Sequence, residues 1–319
     1  MSKNPWLFSL PMELCEIPAK QPILLNNTTC PYCGCELTAE NANKEHVIGR
    51  KFVPKGTLDG NWNLIVTACK ACNAKKGDLE DEISAVTMQP NAAGQYASNH
   101  NGLIADSKRK AKGARSRRNG KFIGESTEVL VAKMLFLGGQ LTANFTAPPQ
   151  VTPERVLQLA MMHVMAFFYL VTYNGDKRAG GFWRGNFMMF PEACKEDWGN
   201  RTHTSFMKAV VCWEPRFMAS GPDEFFKVVL RKHPDADCWS WALEWNQNFR
   251  MIVFCGDPVA AENVYFKFKE LPSVDLPDDQ SNKITIRSNQ HLDMEADILF
   301  DWDDPEGTKP DHVATIPPP

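Results

Sequence analysis

Cysteines recur as Cys30-Pro31-Tyr32-Cys33 and Cys69-Lys70-Ala71-Cys72, two closely spaced pairs in one short segment. A Cys-x-x-Cys knuckle turns both sulfurs to one side, so two knuckles suit four thiolates converging tetrahedrally on Zn²⁺. Cys35 is a competing ligand beside the first knuckle. The polar turn after Cys33-Gly34 favours Cys30, Cys33, Cys69 and Cys72 as the set; buried unligated thiols are the plain alternative. Between the knuckles, Glu45-His46 precedes β-branched Val47 and Ile48, an arrangement that suits a strand ending at a polar site. Asn63 and Asn73 complete the polar series.

The elements that must position these groups are short. Residues 44–48 and 63–66 predict two strands, and the second knuckle opens a helix at Asn73. Strand, strand and helix around one metal form a ββα-metal arrangement, and over about residues 28–85 the chain resembles the HNH endonuclease family. The resemblance implies that His46 is the general base, taking a proton from water that attacks a phosphodiester. It makes Glu45 and Asn73 the ligands of a catalytic Mg²⁺ or Mn²⁺, separate from the structural zinc. Asn63 would fix the loop that orients His46. The chain departs from the common family pattern at three places: Glu45 stands for aspartate, Asn73 for the final histidine, and Gly49 where proline often follows.

Arg50, Lys51, Lys75 and Lys76 lie near these residues, where cations can hold phosphates. Residues 108–121, KRKAKGARSRRNGK, are basic at eight of fourteen positions, with no acid. The run predicts a mobile or partly ordered loop in which Lys108, Arg109, Lys110, Lys112, Arg115, Arg117, Arg118 and Lys121 lie along a nucleic-acid backbone. A solvated linker is the alternative. The C-terminal end is acidic and proline-rich, and is expected to be an extended tail.

At 319 residues the chain exceeds one ordinary domain. The expected division is a nuclease domain at 1–105, a basic linker with a short helix at 106–150, an α+β domain at 151–302 and a tail at 303–319. Net charge is −3, 43% of residues are apolar, and no apolar leader opens the chain, so the expected location is the cytoplasm, with no membrane partner. Four of the ten cysteines are assigned to zinc and the rest are scattered, which fits a reducing compartment.

Residues 128–137 predict a short apolar helix stopped by Gly138-Gly139. Thr152-Pro153-Glu154 opens a long helix ending near Tyr173, a buried core helix in which His163 is a core histidine. Residues 222–232 predict an amphipathic helix. Two strands follow, joined near Asn246-Gln247-Asn248, then another over 264–269. The fold class is therefore α+β, with a helical entrance to an antiparallel sheet, and the tryptophans belong to its core.

The function expected from the resemblance is a metal-dependent DNA endonuclease of a restriction or phage-defence kind, gated by its C-terminal domain. Its implied partners are DNA, a second copy and a regulatory protein such as an ATPase. A non-catalytic, zinc-dependent nucleic-acid-binding subunit of a larger complex is the alternative.

Overall fold

A computed structural model of the protein describes residues 15–17, 22–136, 139–183, 186–265, 273–277, 283–286 and 288–301. The fold is mixed α+β, with five helices among the described residues and sheets that are largely antiparallel.

Strand β1 (Cys15–Ile17) leads to β2 (Ile23–Leu24), β3 (Ala42–His46) and β4 (Leu64–Cys69). The last three form a small sheet in the order β2-β4-β3, with β3 antiparallel to β4 and His46 opposite Ile65. Strand β4 buries Leu64, Val66 and Ala68 on one face, the period-two pattern of a half-covered strand. Helix α1 (Lys70–Thr87) begins directly at Cys69 and buries Leu79, Ile83 and Val86 at helical spacing before Gln89-Pro90 stops it.

Helix α2 (Asn101–Gly113) takes in the first six residues of the basic run. The expected loop is corrected here: Lys, Arg and Ala are strong helix formers, and the only glycine before residue 120 in that run is the helix's last residue. Strands β5 (Glu128–Phe136) and β6 (Gly139–Ala147) form an antiparallel hairpin where a short helix was expected. Val129 and Val131 alternate with neighbours in a nine-residue run too short to separate strand from helix by length. Leu137 and Gly138 lie outside the described residues.

Helix α3 (Pro153–Val171) carries Pro153 at its start, as expected, although the Thr152 side chain makes no capping bond. By length and composition it could cross a membrane, but Leu159, Ala160, Val164, Phe167 and Leu170 are buried in the core. After it come β7 (Asn186–Met189), α4 (Arg201–Val210), β8 (Glu214–Ser220), β9 (Phe226–Lys232), β10 (Cys238–Trp245) and β11 (Phe249–Gly256). They form a six-stranded sheet in the order β1-β8-β9-β10-β11-β7. The helix expected over 222–232 is instead a single 3-10 turn followed by β9, whose apolar residues pair with β8 and β10. The β10–β11 hairpin is as expected, with Asn246 and Gln247 at positive φ in a turn that matches strand twist.

Helix α5 (Pro258–Tyr265) occupies the first part of the expected 264–269 strand; residues 266–269 lie outside the described ones. Strands β12 (Val274–Pro277) and β13 (Lys283–Ile286) form a second hairpin. The acidic, proline-rich tail at 303–319 likewise lies outside the described residues.

One apolar cluster runs through both halves of the chain, from Cys30, Phe52 and Trp62 to Phe167, Phe217, Trp245 and Cys255. Phe52 meets Trp245 edge-on at 5.4 Å, and Trp62 stacks on Phe167 at 6.3 Å. A second cluster, with Phe206, Trp213 and Phe254, joins α4 and α5 to the large sheet. The tryptophans Trp62, Trp239, Trp241 and Trp245 are buried, which makes them core residues as expected.

Candidate active site beside a cysteine cluster

The first knuckle closes on itself. Gly34 takes φ +71°, Gly34 N–H donates to the Cys30 carbonyl at 2.8 Å, and Cys30 N–H donates to the Cys35 carbonyl at 2.8 Å. This tight return brings Cys35 back to the cluster. The sulfurs of Cys30, Cys33, Cys35 and Cys69 all lie within 4.8 Å of one another, a group that could hold a metal ion. Cys30, Cys33 and Cys69 of the expected set are in this group together with the competing Cys35, while Cys72 stands against Cys33 and Cys69. Sequence spacing alone could not show the left-handed turn at Gly34 that makes the difference.

The geometry fits thiolate ligation. Metal–sulfur bonds of about 2.3 Å give a tetrahedron with edges of about 3.8 Å, and the Cys33 and Cys69 sulfurs are 3.7 Å apart. Burial alone would raise the Cys33 thiol, but hydrogen bonds from Cys35, Cys30 and Cys69 bring it down to about 7. Burial pushes Cys30 up to about 11, and the hydrogen bond with Cys33 pushes Cys35 up to about 12. One thiolate thus forms readily, whereas Cys30 and Cys35 resist until a cation shares their charge.

A cavity of about 300 Å³ opens on the other side of the β3–α1 junction, lined by Lys44, Glu45, His46, Gly49, Arg50, Lys51, Asn73, Gly77, Glu80 and Asp81. Sequence-selected Glu45, His46, Asn73, Arg50 and Lys51 are therefore brought together. His46 ends β3, and burial together with Arg50, Lys44 and Lys76 lowers its pKa below the ordinary imidazole value. Its Nε2 is enclosed, with no hydrogen-bond partner among the described residues.

Asn63 does not line the cavity. It is buried and clamps the backbone two residues after His46, with Nδ2 donating to the Ile48 carbonyl at 2.7 Å and Oδ1 accepting from Ile48 N–H at 3.2 Å. Asn73 Nδ2 donates to the Lys44 carbonyl at 3.1 Å, which leaves Oδ1 as a potential ligand atom.

Glu45 is buried against Lys76, whose Nζ lies 2.8 Å from Oε1; Tyr32 donates to the same oxygen at 3.3 Å. Both contacts fall on Oε1, so Oε2 remains as a donor. Burial outweighs Lys76 and raises the Glu45 pKa. Glu80 is lowered, since Lys76 and His163 outweigh its burial. Lys76 is raised: Glu80 and Glu45 overcome the burial that opposes its charge. The stable pair is thus Lys76 with Glu80, and Glu45 is the acid that protonates first.

Lys76 was expected to face phosphate. It does not, because it lies on the core side of α1, wholly buried. Lys75 is exposed. In the basic run, Lys110 is buried, donates to the Lys51 carbonyl and to Ser84 Oγ, and is lowered to about 8 by burial. Arg109 pairs with Asp106, Arg117 with Asp78 and Arg118 with Glu128, while Arg115 stacks over Phe122. Lys108, Lys112 and Lys121 are exposed.

Sequence reasoning missed Tyr32, Lys44, Glu80 and Asp81. The i,i+4 spacing of Lys76 and Glu80 was the available signal for an ion pair on α1. Comparison with protein-family models, with curated proteins and with solved structures returns no match.

Proposed function

We propose that this chain is a metal-dependent endonuclease of the HNH kind that hydrolyses phosphodiester bonds of DNA, with structural Zn²⁺ in the cysteine cluster. The observation that carries the reading is the placement of His46 at the end of β3, in a cavity shared with Glu45 and Asn73. His46 takes a proton from water, which requires the neutral ring that burial and nearby cations favour. Asn63 keeps the following backbone in place. Arg50 and Lys51 hold the phosphates on either side of the cleaved bond.

Glu45 Oε2 and Asn73 Oδ1 are hard oxygen donors that suit Mg²⁺ or Mn²⁺. Such an ion, when bound, stabilises charge on the phosphate and on the leaving oxygen. A role in restriction or phage defence, with the C-terminal part as regulator, follows from the resemblance alone.

One observation favours a second reading. Glu45 already has a cationic partner in Lys76, as it would in a zinc-dependent nucleic-acid-binding subunit without catalysis. Incubation of the full-length protein with supercoiled plasmid and Mg²⁺ or Mn²⁺, with a gel-shift assay in parallel, separates them. Nicking is the expected result; DNA retention without nicking in either metal would select the binder.

A further inference from the structure

The backbone from 46 to 49 is gripped from α1 by two side chains one turn apart. Lys76 Nζ donates to the His46 carbonyl at 3.2 Å, and Glu80 Oε1 accepts from Gly49 N–H at 3.0 Å. The two side chains hold each other at 2.5 Å, so they act on the turn as one unit. Asn63 grips Ile48 from the β4 side. Three of the four residues in this turn are therefore fixed by buried side chains.

Gly49 is part of the device. A Cβ at this position would lie 2.1 Å from Glu80 Oε2, so any larger residue displaces the carboxylate. The proline common at this place in the family pattern would also remove the N–H that Glu80 binds. The same oxygen of Glu80 lies 3.7 Å from Nε2 of His163 on α3, whose ring packs edge-on against Phe52, Phe226 and Trp245. Glu80 is thus held between the turn and the core.

We infer that the Lys76–Glu80 pair is the positioning device for the His46 imidazole, and that residue 49 is glycine so that the pair can dock on the turn. The inference rests on the reading of His46 as the base. Neither Lys76 nor Glu80 touches the reacting atoms; both act through the backbone that carries the ring. A base displaced by about 1 Å loses on the order of 10²-fold in rate.

The test uses full-length protein carrying Glu80→Ala, Glu80→Gln or Gly49→Ala. Plasmid nicking in Mn²⁺ gives kcat and KM, and amide NMR gives the protection of the Gly49 N–H. Glu80→Ala should lower kcat on the order of 10²-fold, leave KM within about threefold, and speed exchange at Gly49. Glu80→Gln keeps an acceptor oxygen and should recover most of both signals. Gly49→Ala should match the kcat loss of Glu80→Ala although Glu80 is present, and it carries the test with Glu80→Gln if Glu80→Ala does not fold. Unchanged kcat and unchanged Gly49 exchange in a folded Glu80→Ala protein would overturn the inference, as would equal losses in Glu80→Ala and Glu80→Gln. If wild type does not nick, the nuclease reading fails on its own, and Gly49 protection alone decides whether Glu80 holds the turn.

Discussion

In the proposed function, His46 acts as the base only while its ring carries no charge. Burial, with Arg50, Lys44 and Lys76 around it, lowers its pKa from 6.5. A base works deprotonated, so cleavage should rise with pH through a midpoint below 6.5 and be level at neutral pH. A pH–rate profile in Mn²⁺ checks this; a midpoint above 7 would assign the limiting ionisation to another group. His46, Asn63 and Asn73 were legible as candidates because the family resemblance selects residues of these types at these places. Glu80 and Gly49 were not, because their roles arise only when α1 lies against the turn and a carboxylate meets a backbone N–H. Cys35 was legible only as a competing ligand, because its place depends on the backbone of Gly34 rather than on its spacing from Cys33.

Among the elements, β3, β4 and α1 are joined at the cysteine cluster, since Cys69 ends β4 and Lys70 begins α1. Removing metal from the cluster should loosen that corner before the large sheet. Chelation by EDTA followed by hydrogen exchange should show loss of protection in β3 and the first turn of α1, with β10 and β11 retained; uniform protection would mean that the cluster bears no structural load. Phe52, fully buried between His163 and Trp245, joins the turn after His46 to α3 and β10. Phe52→Ala should destabilise the protein by about 3–5 kcal/mol, as measured by denaturant unfolding. The β5–β6 hairpin and β9 were read as helices because short apolar runs do not distinguish the two structures until a partner strand is present. The long helix α3 was legible because its proline start and its length agree.

At the scale of the whole molecule, the stretches 1–105 and 151–302 share one apolar cluster instead of meeting at a thin seam. Asn246 reinforces the junction, donating to the Phe52 carbonyl at 3.1 Å and to Thr87 Oγ1 at 2.9 Å. Arg155 of α3 adds contacts to Glu82 and Asp78 of α1. A fragment of residues 1–105 would uncover Phe52 and Trp62, so activation by simple loss of the C-terminal part is not expected. Near-UV circular dichroism of that fragment should lack fixed aromatic signals; a native-like spectrum would show that the N-terminal part folds alone.

His163 sets an acid limit on the same core. Burial brings its pKa down from 6.5 to about 4. Its contribution is complete above 6.5, where both states are neutral, and is lost as pH falls towards 4 because the unfolded chain binds the proton first. The loss amounts to about 3 kcal/mol at pH 4. His163→Leu should flatten this part of the stability–pH curve; an unchanged slope would assign it to other groups.

The proposed hydrolytic role of His46 lies at the centre of the function. Its most direct test is single-turnover plasmid nicking in Mn²⁺ by wild type and by His46→Ala, with melting temperatures matched. Wild type should nick, and His46→Ala should lose at least about 10²-fold in rate while remaining folded. Equal nicking by the two folded proteins would contradict it.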